Sequence, residues 1–114
     1  MKKENRIKKN AEIAKIVLKK QKIKSNSFFI YYQKANEITK VAISVSKKYG
    51  NAVKRNHAKR VIRELVRPQI SNFTTCVDLV IVIKNEFSEK TFVELQKEMS
   101  WCLLKIQKLV LNNK

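Results

Sequence analysis

Few side chains in this sequence could move a proton or hold a metal near neutral pH: one histidine, two cysteines and nine acids among 114 residues. His57 lies among Lys54, Arg55, Lys59 and Arg60, with no carboxylate one helical turn away to orient its imidazole. A positive surround lowers a histidine's proton affinity but does not make it a base. Cys76 and Cys102 stand 26 residues apart with no CxxC, so zinc ligation is not expected, and both read as buried reduced thiols. Glu64 falls within reach of Lys59 and Arg60 and reads as half of a local ion pair. A single glycine excludes a phosphate-cradling P-loop. No catalytic residue and no protein-held metal are expected.

Anion binding is the chemistry the sequence does offer. The stretch KKYGNAVKRNHAKRVIRELVR, residues 47–67, has Glu64 as its one acid. Arg55, Lys59 and Arg63 recur at i+4 spacing, with Asn56, Arg60 and Arg67 in a neighbouring row. Guanidinium forks bind phosphate oxygens in pairs, while lysine adds a mobile point charge. The helix start at Gly50 and Asn51 would turn free N–H groups toward an anion as well. An ordinary solvated face mixes signs, and this one does not.

The elements that must carry this ribbon follow from periodicity. Ile13, Ile16 and Val17 mark a first helix, with Asn10 as its cap and Glu12 in its first turn. The polar stretch 19–27 breaks that pattern. SFFIYYQ (27–33) reads as a strand with Phe29 and Tyr31 on one face and Phe28, Ile30 and Tyr32 on the other. Both phenylalanines read as core; Tyr31 suits either core packing or base stacking. Residues 34–39 read as a hairpin connection. Val41, Ile43 and Val45 then alternate with Ala42, Ser44 and Ser46, a small-residue face with room for something to lie against it.

Asn51 caps the cationic helix, whose apolar stripe is Ala58, Val61, Ile62 and Leu65 and which is expected to stop before Pro68. CVDLVIVI (76–83) is apolar on both faces and reads as a central strand. Ser88 is expected to cap a last helix that buries Phe92, Leu95, Met99, Cys102, Leu103, Ile106 and Val110. The order is αβββαβα, allowing for one extra short strand, in a single α+β domain spanning residues 1–114. Residues 1–9 are expected to form a basic, flexible arm.

The net charge of +17 is uneven: residues 1–67 hold 20 Lys/Arg against 4 acids, and residues 68–114 hold 6 against 5. A polyanion would relieve the self-repulsion of the first part. No apolar run is long enough to span a bilayer, and the start MKKENRIKKN is not a signal core, so a soluble cytoplasmic protein is expected. A cationic helix flanked by strands does not form a helix-turn-helix pair, and strand aromatics suit unpaired bases, which favours RNA over DNA. An anionic membrane surface is a weaker fit, since the helix's apolar stripe carries no bulky aromatic.

The residue order narrows this further. The segment from Lys48 resembles the K-x-G-N-A-V-x-R-N-x-x-K-R-x-x-R signature of the bacterial ribonuclease P protein subunit. Lys48, Gly50, Asn51, Ala52, Val53, Arg55, Asn56, Lys59, Arg60 and Arg63 match it, and R-I-K-K at 6–9, FFIY and VAISVSKK extend the likeness. The resemblance implies a two-layer αβββαβα sandwich shared with a ribosomal-protein domain, containing a left-handed βαβ crossover. It implies a subunit of a tRNA 5′-maturation endoribonuclease, a hydrolase whose chemistry belongs to the RNA and its magnesium. The partners would be ribonuclease P RNA and precursor tRNA, with the protein a monomer alone and one copy per catalytic RNA.

By the same resemblance, Lys47, Lys48, Asn51, Arg55, Asn56, Lys59, Arg60 and Arg63 would contact the catalytic RNA. Ile13, Val17, Tyr31, Ala42, Ser44 and Ser46 would line a cleft for the single-stranded 5′ leader. Arg6, Lys8 and Lys9 would form the basic arm. Ile13 and Val17 stand where many members carry phenylalanine, and His57 where arginine is common. The rival reading is a small ribosomal or RNA-chaperone protein without a processing role.

Overall fold

A strand that is apolar on both faces needs cover on both, and in the structure the sheet is built around it. The computed structural model describes residue 7, residues 10–35 and residues 37–112. The chain runs α1 (Asn10–Leu18), β1 (Lys22–Lys24), β2 (Phe28–Lys34), β3 (Lys40–Val45), α2 (Ala52–Ile70), β4 (Val77–Ile83) and α3 (Phe92–Asn112). This is the expected αβββαβα order. The sheet order is β1-β2-β4-β3, with β4 antiparallel to β2 and parallel to β3. β3, α2 and β4 therefore make the βαβ unit.

The expected hairpin between β2 and β3 does not form, because β4 is inserted between them. An edge position would have left one backbone ladder of this doubly apolar strand unpaired. The connection instead closes over the start of β4: the Ala35 N–H donates to the Cys76 carbonyl at 2.9 Å, and Thr39 Oγ1 accepts from the Val77 N–H at 3.2 Å.

One face of the sheet carries the main core. Phe28, Ile30 and Tyr32 of β2, Val41 of β3, and Leu79, Ile81 and Ile83 of β4 meet Ile62 and Leu65 of α2 and Met99, Leu103 and Ile106 of α3. Sheet and paired helices form the two-layer body. α1 lies on the opposite face, where Ile7, Ile16, Ala42 and Val80 form a smaller cluster.

Several boundaries differ from expectation for local reasons. α2 runs through Pro68 to Ile70 rather than stopping before the proline. Pro68 removes the N–H that would donate to the carbonyl of exposed Glu64, but only two residues before the helix ends, and the Pro68 carbonyl is itself taken up by Ser71 Oγ at 2.9 Å and Asn72 Nδ2 at 3.4 Å. The longer helix buries Val66 while Val61 is only half-buried. Thr91, not Ser88, caps α3. Its Oγ1 accepts from the Glu94 N–H at 3.2 Å and Glu94 Oε1 accepts from the Thr91 N–H at 3.1 Å, a capping box. Those bonds to Thr91, the backbone one foremost, hold the Glu94 carboxyl below its usual range. Ser88 lies in a separate 3-10 turn, Asn85–Glu89, and Phe92 is exposed outside the packed face. Cys102 is buried and its thiol is pushed up to about 11 by that burial; Cys76, expected buried, is half-buried with its S–H directed at the Glu37 carbonyl.

The polar stretch after α1 is where sequence periodicity fails. Lys20 takes a left-handed φ of 58°, with its N–H donating to the Val17 carbonyl at 3.1 Å, and β1 follows at once. A side chain in that region costs about 1–2 kcal/mol, which glycine avoids. Lys20→Gly is expected to stabilise the fold by about 0.5–1 kcal/mol after its greater unfolded-state entropy is counted. Thermal denaturation checks this, and an unchanged or lower midpoint would argue against strain at Lys20.

Candidate nucleic-acid interface

Two surfaces collect the candidate residues. The first begins at the 3-10 turn Lys47–Tyr49, which exposes Lys47 and Lys48 and anchors itself through Tyr49, whose ring lies 6.4 Å from that of buried Phe87. Burial raises the Tyr49 hydroxyl above its usual value. Gly50 is extended, and a Cβ there would meet Lys54 Cδ at 2.9 Å and Lys54 Cβ at 3.2 Å. The bare glycine lets the Lys54 stem fold across the turn. Asn51 caps α2 as expected, with Oδ1 accepting from the Lys54 N–H at 2.9 Å.

Along α2, Lys54, Arg60 and Arg67 are exposed while Arg55, Lys59 and Arg63 are half-buried. Val53, Asn56, His57, Arg60 and Arg63 line an open groove of about 500 Å³. The one ion pair among the described residues, Lys84 with Glu86 at 3.7 Å, lies elsewhere. The expected Glu64 pair is absent. Arg60 precedes Glu64 at i+4, the less favourable orientation, and Lys59 at i+5 is not a helical neighbour. Arg55 Nε is buried without an acceptor among the described residues, a costly state for a guanidinium N–H. Among the described residues no carboxylate pairs with the ribbon, Glu64 included.

The second surface is the sheet face that α1 partly covers. Its cross-strand register gives three rows: Lys24, Phe29, Val82 and Ser44; then Lys22, Tyr31, Val80 and Ala42; then Gln33, Asp78 and Lys40. α1 seats Ile16 over the second row, where Val80 and Ala42 are buried, with Ile13, Val17, Tyr31 and Val82 packed at the margin. Ala42 is thus floor beneath α1 rather than open cleft. Ser44 and Ser46 stay exposed, and Phe29 and Tyr31 are half-buried.

Phe29 does not join the core with Phe28. Its ring meets Tyr31 edge-on, at 5.6 Å between centroids and 78° between planes. At the far end, Gln33 Nε2 donates to Asp78 Oδ2 at 2.8 Å, beside a groove of about 460 Å³ that Glu12, Lys15, Lys19 and Lys40 also line.

The structure brings the α2 cations together and, separately, Ile13, Val17, Tyr31, Ala42 and Ser44. Arg6, Lys8 and Lys9 lie outside the described residues; Ile7 between them is buried, with its N–H donating to the Val41 carbonyl at 3.0 Å on the free edge of β3. Phe29, read from sequence as core, lies on this face instead, and Lys22 and Lys24 escaped sequence reasoning. Alternation already placed Phe29 beside Tyr31, whereas β1, at three residues, is too short for any period to reveal. Among the described residues no group of three or more His, Cys, Asp or Glu could hold a metal ion, and no helix is long and apolar enough to cross a membrane.

A mixed sheet with a βαβ unit, whose helix presents cations without ion-pair partners among the described residues on one side of the sheet and a half-open aromatic pair on the other, defines a nucleic-acid-binding α+β protein. The family model described as Ribonuclease P matches residues 1–107. The ribonuclease P protein component of Phytoplasma australiense is 39% identical over 99% of this chain and 100% of its own length. The RNase P protein of Staphylococcus aureus superposes with a TM-score of 0.80 at 32% identity, covering 91% of this chain and 95% of that one. That of Thermotoga maritima shares the fold, with a TM-score of 0.73 at 22% identity over 90% of this chain and 94% of its own. The chain belongs to the ribonuclease P protein family.

Proposed function

We propose that α2 and the turn before it bind ribonuclease P RNA, while the α1-flanked sheet face binds the single-stranded 5′ leader of precursor tRNA. As a member of its family, the chain is the protein component of ribonuclease P, the ribonucleoprotein endonuclease that matures tRNA 5′ ends. The observation that carries the RNA assignment is the cationic ribbon of α2, whose Lys and Arg side chains form no ion pair among the described residues and outnumber the helix's one acid, Glu64, in a chain of net charge +17. Phosphates of a folded RNA would supply that opposition through Lys47, Lys48, Arg55, Asn56, Lys59, Arg60 and Arg63.

The leader reading is supported by the half-open Phe29–Tyr31 pair, whose Phe29 shares a cross-strand row with Val82 and exposed Ser44, and by Ile13 and Val17 as an aliphatic wall. Bases stack on aromatic rings without demanding a sequence, which suits leaders of many tRNAs. The protein would then hold two polyanions side by side and screen their repulsion, with magnesium carried by the RNA serving the hydrolysis. One protein per catalytic RNA is the proposed stoichiometry.

The test is cleavage of a precursor tRNA by a bacterial ribonuclease P RNA at low magnesium, with and without this protein. Strong stimulation is expected; tight RNA binding without stimulation would favour an RNA chaperone instead. Tyr31→Ala and Phe29→Ala should each weaken leader-bearing precursor more than mature tRNA, by about 1–3 kcal/mol. Equal losses on both substrates would return these rings to a purely structural role.

A further inference from the structure

The aromatic pair on the sheet face is already occupied. Lys22 Nζ lies 5.2 Å from the Phe29 centroid and 5.4 Å from that of Tyr31, above both rings at once. Its backbone is fixed, since Lys22 pairs with Tyr31 across the β1–β2 ladder and the neighbouring Gln21 carbonyl accepts from the Tyr32 N–H at 3.1 Å. Its side chain is exposed and forms no ion pair among the described residues. A flexible ammonium with no carboxylate partner is thus parked where the next flat ring would stack.

We propose that Lys22 is a displaceable cap that positions the leader: it covers the Phe29–Tyr31 platform in the free protein and moves onto a leader phosphate when a base takes its place. This rests on the reading of the sheet face as the leader cleft. Two consequences follow from the one side chain. The ammonium competes with the base for the rings, and its transfer adds one phosphate contact. Lys24, opposite Phe29 in the next row, is exposed on the same strand and extends the cationic margin along which the leader backbone would run.

The experiment uses the holoenzyme reconstituted from full-length protein and a bacterial ribonuclease P RNA. The substrates are precursor tRNAs with an intact leader, with no leader, and with a single abasic nucleotide scanned along the leader. Dissociation constants are measured from 50 to 500 mM monovalent salt. Lys22→Ala is expected to lower the salt slope for the intact substrate by about 0.7, so the wild-type advantage shrinks about fivefold over that range. The affinity lost at the most sensitive abasic position should grow about threefold in Lys22→Ala, because the base no longer displaces a cation. Lys22→Arg should keep the wild-type slope.

An unchanged slope in Lys22→Ala, or a smaller abasic penalty, overturns the cap. If the wild type itself ignores both leader removal and abasic substitution, the leader cleft fails and the cap with it. A leader-sensitive wild type matched by Lys22→Ala in both measurements sinks the cap alone.

Discussion

Replacing Arg55, Lys59 and Arg63 together by alanine is expected to flatten the salt dependence of ribonuclease P RNA binding by nearly three. Each phosphate contact releases condensed counterions and contributes about 0.9 to the slope of log affinity against log salt, so three contacts give about 2.7. Between 50 and 200 mM salt the wild-type advantage should therefore shrink about 40-fold. The three side chains follow at i+4 along α2, are half-buried, and form no ion pair among the described residues. That burial makes a stability loss in the triple variant expected too. Glutamine at the same three positions keeps much of the stem and removes the charge, and it should reproduce the slope change with less loss of fold. A full-slope glutamine variant would show that the ribbon is a solvated face and that RNA is held elsewhere.

That surface was the most legible part of the chain, because everything that defines it is local. The Asn51 cap, the i+4 cations and the Ala58, Ile62 and Leu65 stripe all repeat within one helix and needed no partner to be read. The boundaries that slipped did so where two local signals compete: Pro68 falls late enough to be tolerated, and Thr91 with Glu94 makes a better cap than Ser88. β2, β3 and β4 were legible one by one, but β1 and the order of the sheet were not. Residues 34–39 look like a hairpin loop until β4, some forty residues later, takes the place between the strands they join.

The proposed leader cleft suffered most from that non-locality. Ala42 alternates as an open floor residue, yet only the packing of Ile16 from α1 shows that it is covered. Phe29 alternates with Tyr31, but whether that face was core or cleft depended on α1 covering only part of it. Lys22 could not be placed at all without β1, and its position over two rings is a tertiary fact. The sequence-level ion pair at Glu64 failed for a simpler reason, since the order Arg60 then Glu64 is the weaker orientation on a helix.

The sheet face proposed to hold the leader also depends on one long-range clamp, and Glu98→Ala is expected to destabilise the fold by about 2–4 kcal/mol. Ser27 is fully buried at the turn between β1 and β2, where its N–H donates to Glu98 Oε1 at 3.0 Å and its hydroxyl to Glu98 Oε2 at 2.8 Å. Its carbonyl accepts from the Lys84 N–H at 2.9 Å, so the turn is held from α3 and from the end of β4 at once. Removing the carboxylate leaves two buried donors without an acceptor, at about 1–3 kcal/mol each. For a chain of this size that corresponds to a fall in thermal midpoint of about 10 °C. Glu98→Gln keeps one acceptor oxygen and lets the Ser27 hydroxyl turn to accept, so its loss should be about half as large. Because Phe28 and Phe29 leave directly from this turn, Glu98→Ala should also reduce discrimination between leader-bearing and mature tRNA well below the melting temperature. The salt slope set by α2 should stay as it is. A thermal midpoint within 2 °C of wild type, measured by calorimetry, would show that the turn is held without Glu98 and would detach the cleft from α3.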